Sequence, residues 1–412
     1  TSNYGQTWTK ITNGIEGDHT FARVVRSDKK QKGILYAGTE TGLYVSFNEG
    51  SNWQQFQLNL PTTPINDLYI QDNDLVAATS GRGFWILDDL SAVQQNEQFN
   101  NFSSVKLITP KPSYKYGAGN GLPEKNEEGQ NAPDGVILDY FLPENLSEKD
   151  TVTLEIMDKK GAIIRTYSNI KDGAYKKYPG GPAPETLLSS IKGHNRFLWN
   201  FRTNSERPDV NGVFVLGNYA GYAVAPGDYK ATITLKAFNT TTSQSNSTSF
   251  IVLPNPFIKA TQEDWELQQN TLASISAYIN EIHTSVNKLR KVKKQLEYYN
   301  EILANVPKAS LIKEAANSII STMDAWESTI VESRTKNGQD VINWPSKLNV
   351  EFFYLKGLVD ISDPVITEGV KNKLKDLKAT WTSEKLKFDN ILESVNNFNN
   401  QFKNADLPAL QF

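Results

Sequence analysis

The sequence contains no cysteine and only three histidines and two methionines among its 412 residues. The absence of cysteine excludes disulfides, thiolate catalysis and cysteine-ligated metals. The histidines, His19, His194 and His283, lie in different parts of the chain, and no two of them have the spacing of a helical metal-ligand pair. We therefore expect no metal site and no cofactor.

Charge of one sign and long apolar runs are also lacking. The chain carries 43 Lys and Arg against 46 Asp and Glu, which gives a net charge of -3 and no bulk attraction for nucleic acid. No apolar run approaches the roughly 18 residues that a membrane-spanning helix requires. The sequence therefore predicts neither a nucleic-acid partner nor a membrane span.

A short motif occurs twice near the N-terminus, at Thr1–Trp8 and again 45 residues later at Ser46–Trp53. Each copy has a hydroxyl residue, then Asn, Gly and Trp at fixed offsets: Asn3, Gly5 and Trp8 in the first, and Asn48, Gly50 and Trp53 in the second. The period is that of a propeller blade, and Asn and Gly favour a tight turn. A Trp ring at this place would pack between sheets, so we expect Trp53 to be buried.

These residues resemble the Asp-box, the Ser-x-Asp-x-Gly-x-Thr-Trp turn of BNR-repeat propellers such as sialidases and sortilin-type proteins, with Asn at the Asp position in both copies. In those families the box joins the outer two strands of a blade, so the resemblance implies a structural role for the six motif residues. Propellers close with about four to eight blades, whereas residues 1–93 would supply only the last two. We therefore expect further N-terminal blades, or a partner segment, to cover the open blade edge.

Composition and periodicity change along the rest of the chain. Residues 94–132 are rich in Asn, Gln, Pro, Gly and Lys, which is typical of a linker. Residues 133–256 contain six or seven alternating runs, which predict an antiparallel β-sandwich of the immunoglobulin or fibronectin type III kind. Residues 257–412 have apolar side chains at intervals of three and four, which predict an antiparallel helical bundle that folds autonomously. The predicted fold class is thus multidomain β and α: final propeller blades, a sandwich and a bundle.

This order of modules resembles the C-terminal third of large bacterial BNR-repeat, sortilin-like propeller proteins, which are often described as glycosyl hydrolases. The resemblance is carried by Gly81–Asp89 in the last predicted blade, Asn195–Arg202 in the sandwich and Asp406–Leu410 at the end of the bundle. It implies a secreted, periplasmic or cell-surface protein of a bacterium, and the many Asn and Lys residues are typical of Bacteroidetes. A fold resemblance alone does not establish an activity.

Four residues are candidate ligand-binding positions. Arg82, between two glycines, could reach a ligand carboxylate or form a structural ion pair. Asp88 and its neighbour Asp89 could be a carboxyl pair, but adjacent strand residues point to opposite faces, which favours a turn. Tyr219 and Tyr222 lie in a Gly-rich loop and could stack on sugar rings.

A basic run, Lys288–Lys294, has five positive charges in seven residues and is typical of a solvated helix face. No residue of the chain is predicted to be catalytic, and we expect no glycosidase activity from it. The sequence favours a scaffold and interaction region that binds a glycan or a cell-surface protein. The alternative is the C-terminal part of a glycoside hydrolase whose active site lies on further blades.

Overall fold

The computed structural model describes residues 1–95, 103–116, 133–206, 209–306 and 309–404. Within these ranges the protein is mixed β and α, with sheets in the N-terminal and central regions and helices in the C-terminal region. No helix in the described ranges has an apolar stretch sufficient to cross a membrane.

The N-terminal region contains two antiparallel sheets in which each strand pairs with the next along the chain. The first sheet consists of β1 (Ala22–Ser27), β2 (Leu35–Thr39), β3 (Leu43–Ser46) and β4 (Gln54–Gln55). The second sheet consists of β5 (Ile65–Gln71), β6 (Asp74–Thr79) and β7 (Phe84–Leu87), and the short helix α1 (Ser91–Gln94) follows it.

The two N-terminal sheets pack face to face. Strands β1 and β2 contact β5, and one buried cluster includes Val24 and Tyr36 of the first sheet with Leu68 and Leu75 of the second. Gly38 permits this close approach, because a Cβ at that position would lie 2.7 Å from the side chain of Ile65 on the facing strand. The alternation of buried and exposed side chains along β5 therefore fixes one face of the second sheet against the first.

The central region contains two further sheets around a shared core. Their strands are β8 (Lys106–Leu107), β9 (Ser113–Lys115), β10 (Val136–Leu142), β11 (Thr151–Asp158), β12 (Ile163–Ser168), β13 (Gly193–Trp199), β14 (Gly227–Lys236) and β15 (Gln244–Pro254). One sheet has the strand order β12–β11–β14–β15–β9 and the other β13–β10–β8. Trp199 lies within this core with its ring 5.5 Å from that of Tyr229 and 5.8 Å from that of Phe250.

Part of the segment 94–132, expected to be a linker, belongs to these sheets. Strand β8 pairs with β10, and β9 pairs in parallel with β15, so the expected all-antiparallel arrangement has one parallel pair. The backbone N–H groups of Val105 and Leu107 donate to the side chains of Gln244 and Asn246, at 3.0 and 2.8 Å. These two strands are too short to show a period within a polar segment. Residues 96–102 and 117–132 of the predicted linker lie outside the described residues.

The C-terminal region contains α2 (Gln262–Ile302), α3 (Ser310–Ile330), a 3-10 helix (Gly338–Ile342), α4 (Leu348–Val359) and α5 (Glu368–Asn404). Helix α2 packs against α3 and α4, and α5 packs against the same two helices. A capping box begins α2: Thr261 Oγ1 accepts from the Asp264 N–H, and Asp264 Oδ2 accepts from the Thr261 N–H.

The helical core also contains side chains from the segment between β13 and β14. Val210, Val213, Val215 and Tyr219 of this segment are buried in the same cluster as the helices. The helices are therefore built partly on the central region, and the expected boundary at residues 256 and 257 does not divide the hydrophobic core.

Charged side chains join the same segment to α4. Lys356 Nζ lies 2.6 Å from Glu206 Oε2, and both side chains are almost fully buried. The Lys356 ammonium also donates to the carbonyls of Asn218 and Ala220, at 2.8 and 2.7 Å. Burial lowers the pKa of Lys356 and raises that of Glu206. Since removing one member would leave a buried charge unpaired, this pair ties the two regions together.

Candidate binding surfaces

The second copy of the repeated motif forms a tight turn between β3 and β4. Ser46 Oγ accepts from the Gly50 N–H at 2.9 Å and donates to Asn48 Oδ1 at 3.1 Å. Asn48 Oδ1 also accepts from the Asn52 N–H at 2.8 Å. Glu49 and Gly50 both have left-handed backbone conformations, with φ of 57° and 85°. The motif is thus a self-contained set of hydrogen bonds.

The first copy forms the same turn. Thr1 Oγ1 accepts from the Gly5 N–H at 2.7 Å and donates to Asn3 Oδ1 at 3.0 Å, and Asn3 Oδ1 accepts from the Thr7 N–H at 2.9 Å. Tyr4 and Gly5 have φ of 56° and 87°, close to the values in the second copy. The sequence repeat is therefore a structural repeat, and Asn supplies the oxygen acceptor at the third position of both turns.

The two copies differ in the surroundings of their tryptophans. Trp53 is 7% exposed and packs with Ala37 and Tyr44, and its Nε1 donates to the Ile11 carbonyl at 2.8 Å. Trp8 is 79% exposed. The expectation that Trp53 is buried is confirmed.

Among the described residues, the first sheet has buried side chains on both faces, whereas the second has them on one. The second sheet covers one face of the first, and the other face carries the cluster around Trp53, against which Ile15 packs. On the outer face of the second sheet, Phe84 is 79% and Ile86 60% exposed. They lie opposite Ala78 and Val76 of β6, which are themselves half-exposed. We call these four residues the outer apolar face.

Arg82 is exposed in the turn between β6 and β7. Its N–H donates to Thr79 Oγ1 at 3.1 Å, and its carbonyl accepts from Trp85 Nε1 at 3.0 Å. The expected structural ion pair is not seen among the described residues. The backbone of Arg82 thus stabilises the turn, and its guanidinium remains at the surface.

Asp88 and Asp89 lie at the end of β7, where the N-terminal and central regions meet. The Asp89 N–H donates to Asp74 Oδ1 at 2.8 Å, and Lys111 Nζ lies 2.6 Å from the same oxygen. Asp89 Oδ1 accepts from the Ser91 N–H at 2.9 Å. Burial, and then the charge of Asp74, raises the pKa of Asp88. Asp88 and Asp89 therefore lie in a turn where the two regions meet, as expected for two acidic residues that are adjacent in the sequence.

Tyr219 does not lie on a surface where a sugar could stack. It is 3% exposed, and its ring lies 4.9 Å from that of Phe353 in the helical core. The expectation for Tyr219 is therefore wrong, because the Gly-rich loop is inserted between the helices instead of projecting into solvent. Tyr222 is half-buried at the margin of the same core, and burial, followed by the charge of Glu206, raises the pKa of its hydroxyl.

A second charged cluster lies on the paired strands β10 and β13. Arg196 donates to both oxygens of Asp139, at 2.9 and 3.0 Å, and His194 Nε2 lies 3.1 Å from Asp139 Oδ1. Burial alone would raise the pKa of Asp139, but the hydrogen bonds from His194 and Arg196 outweigh it and hold that pKa below its usual range. Within the described ranges, no group of three or more His, Asp and Glu could hold a metal ion.

A polar groove follows α2, with its larger part between α2 and α3 and its smaller part between α2 and two loops of the central region. Its larger part has a volume of about 740 Å³ and includes Asn211, Asn287 and Lys294. Its smaller part, of about 330 Å³, shares Asn211 and Asn287 and extends to Asp172 and Tyr175. We call the two parts together the polar groove.

Sequence reasoning missed the polar groove. The run Lys288–Lys294, interpreted as a solvated helix face, supplies four of its lining residues. Opposite α2, the larger part is lined by Asp324 and Glu327 of α3, and the smaller part by residues 172–182 and 209–211, of which the first loop is over a hundred positions away in sequence. No local pattern in the sequence links these segments.

No family model and no curated protein matches the chain. Among solved structures, it is similar to the extracellular domain of a putative hybrid two-component system from B. thetaiotaomicron, at 13% identity and a TM-score of 0.14. The match covers 57% of this chain and 26% of that one, so this chain aligns with about a quarter of the length of that structure. A TM-score this low does not define a shared fold.

Proposed function

We propose that the protein is a non-catalytic scaffold and interaction region in which the first and second sheets are consecutive blades of an Asp-box β-propeller. The repeated turn carries the proposal, because two segments 45 residues apart make the same three hydrogen bonds and have the same pair of left-handed residues. The second copy joins the third and fourth strands of its sheet, as an Asp-box does.

The faces of the two sheets support the same proposal. In a propeller each blade packs between two neighbours. The first sheet has buried side chains on both faces, whereas the outer apolar face of the second sheet is uncovered among the described residues. The partner that fits this face is a further antiparallel sheet of the same repeat, whose inner side chains would pack on Phe84 and Ile86.

The central and helical regions fit a supporting role. In this proposal the two central sheets are a β-sandwich appended to the propeller, and the helices are held to it by the Glu206–Lys356 pair and the inserted segment. The resemblance to bacterial BNR-repeat proteins supports a secreted, periplasmic or cell-surface location. The alternative is that the chain is part of a glycoside hydrolase. That function would require carboxylates on other blades, because Asp89 is hydrogen-bonded within the turn after β7 and Asp88 is its direct neighbour in that turn.

The proposal is tested by replacing the exposed apolar side chains of the outer apolar face with serine. An uncovered blade face should drive association between copies of the purified chain, because contiguous exposed apolar side chains favour self-association. We expect Phe84→Ser/Ile86→Ser to shift sedimentation velocity profiles towards the monomer. The matched control, Tyr354→Ser/Leu358→Ser, removes two similarly exposed side chains from α4 and should leave association unchanged.

Circular dichroism should show that both double variants remain folded, since all four side chains are exposed in the native protein. A monomeric wild-type chain, or equal association of the two variants, would refute the docking face. The absence of catalysis is checked separately with aryl glycosides and soluble glycans. Turnover above that of a heat-denatured sample would contradict the scaffold role.

A further inference from the structure

We propose that the polar groove binds a neutral oligosaccharide. This inference goes beyond the scaffold role, and it depends on residues of α2 and the central loops that take no part in the outer apolar face. The two proposals can therefore fail separately.

The charge balance of the polar groove favours an uncharged, hydroxyl-rich ligand. Five Lys or Arg and five Asp or Glu side chains line its two parts. Several of these charges already neutralise each other: Arg290 lies 2.6 Å from Glu327, and Lys293 lies 2.5 Å from Asp324. A groove with equal numbers of cationic and anionic side chains does not select for net charge. It suits sugar hydroxyls, each of which both donates and accepts a hydrogen bond.

The amides at the centre of the groove have the chemistry that such a ligand requires. Asn211 and Asn287 line both parts, and each side-chain amide places a donor and an acceptor side by side. Neighbouring hydroxyls of a sugar ring can bond to such a pair together. Tyr175 lines the smaller part and offers an aromatic ring to the apolar face of a sugar.

The walls of the groove are fixed by contacts within the protein. Asn287 Nδ2 donates to the Asp209 carbonyl at 2.8 Å, and Arg290 donates to the Asn211 carbonyl at 2.9 Å. The neighbouring Val210 is fully buried in the helical core, which anchors the loop. A ligand would thus not have to order these segments, and preformed sites lose less affinity to ordering.

The second loop is fixed as well. Tyr178 donates to Asp209 Oδ2 at 2.7 Å, and the Val215 N–H donates to the Gly180 carbonyl at 3.3 Å. The two volumes, about 740 and 330 Å³, are within the range of ligand clefts, roughly 300 to 1,000 Å³. The nine residues that line the larger part are all polar or charged, and such a lining suits a ligand with many hydrogen-bonding groups.

Affinity electrophoresis of the complete chain tests the proposal. The probes are soluble neutral polysaccharides (xyloglucan, galactomannan and mixed-linkage β-glucan) and one acidic polysaccharide, polygalacturonate. We expect at least one neutral probe to retard the wild-type chain, and 0.5 M NaCl to leave that retardation unchanged. The double variant Asn211→Ala/Lys294→Ala, which removes two exposed groove side chains, should bind at least tenfold more weakly.

The matched control is Asn372→Ala/Lys375→Ala, which makes the same changes at exposed positions of α5 outside the groove lining. It should bind as the wild type does. Circular dichroism would verify that both variants are folded. Retardation by none of the neutral probes, retardation by polygalacturonate alone, loss of binding in salt, or equal effects of the two double variants would overturn the proposal.

Discussion

The two copies of the repeated turn have the same hydrogen bonds, yet one tryptophan is buried and the other is exposed. Trp53 lies against the first sheet and bonds to the Ile11 carbonyl, whereas Trp8 is 79% exposed. The turn is thus specified locally by Asn and Gly, and the burial of Trp is determined by the sheet and segment around it. A local motif can therefore be complete while the packing that gives it stability comes from elsewhere in the structure.

The largest expected difference is between the two tryptophans. Trp53→Ala should lower the free energy of unfolding of the first sheet by about 3 to 5 kcal/mol, as for other buried aromatic side chains. Trp8→Ala should change it by less than about 0.5 kcal/mol, because that ring is exposed. Hydrogen exchange of the β2 and β3 amides in urea would measure both. Equal effects of the two substitutions would contradict the claim that burial of the Trp53 ring stabilises the first sheet.

A smaller difference is expected between the two motif glycines. Gly50→Ala should cost about 2 to 3 kcal/mol, because a Cβ at this left-handed position would lie 2.7 Å from Ile11 Cδ1. Gly5→Ala should cost about 1 kcal/mol, since its Cβ would meet Trp8 only at 3.7 Å and conformational strain alone remains. The same exchange experiment applies to both. Because the two φ values are nearly the same, equal costs at the two positions would show that strain, and not packing against Ile11, determines them.

Buried and exposed lysines differ in the same way, because the surroundings of a lysine determine how it affects stability. Lys115 of β9 donates to the Val224 carbonyl at 2.7 Å, and burial, only partly offset by Asp360, lowers its pKa to about 8. An unfolded lysine titrates near 10.4, so the unfolded state binds more protons between about pH 8 and 10. Stability should therefore rise with pH through that window.

Lys115→Met should abolish about 1 to 2 kcal/mol of this rise between pH 7 and 9.5. Lys149→Met, at an exposed lysine, is the control and should retain the rise. Urea denaturation at several pH values would measure the free energy of unfolding and its rise with pH. A wild-type chain whose stability is flat or falls over that range would contradict the burial of Lys115.

The smallest expected difference is between the two asparagines. Asn48→Ala removes the acceptor of the Asn52 N–H, and Asn3→Ala removes the acceptor of the Thr7 N–H. Both bonds lie in exposed turns where water can replace them, so each substitution should cost about 0.5 kcal/mol. Exchange rates of the Asn52 and Thr7 amides report on each turn directly. A cost at Asn48 that exceeds the cost at Asn3 by more than about 1 kcal/mol would show that the surrounding sheet, and not the turn itself, determines the effect.

Features that depend on neighbouring residues could be predicted from the sequence. The turn at Ser46–Trp53 uses bonds over two to four positions, and the capping box at Thr261 uses bonds over three. The apolar stripe of α2, from Leu272 to Leu296, was visible as intervals of three and four.

Features that depend on distant pairing could not be predicted. Val105 is held by Gln244, 139 positions away, and nothing in the polar composition around β8 indicates this pairing. The sequence around Tyr219 predicts an exposed loop, although Val210, Val213 and Val215 before it show that this segment has apolar side chains to bury. The polar groove depends on the same loop placement. The position of Tyr219 and the form of the polar groove thus depend on long-range packing, which local sequence patterns do not indicate.

The central claim, that a further sheet covers the outer apolar face, is tested most directly by thiol labelling of Ile86→Cys. Because the chain has no cysteine, the introduced thiol is the single reactive group. The account predicts rapid labelling of this chain at concentrations at which it sediments as a monomer, and at least tenfold slower labelling in a chain extended by further N-terminal blades. Asn372→Cys, exposed on α5, should react equally in both. Equally rapid labelling of Ile86→Cys in the two samples would contradict the claim.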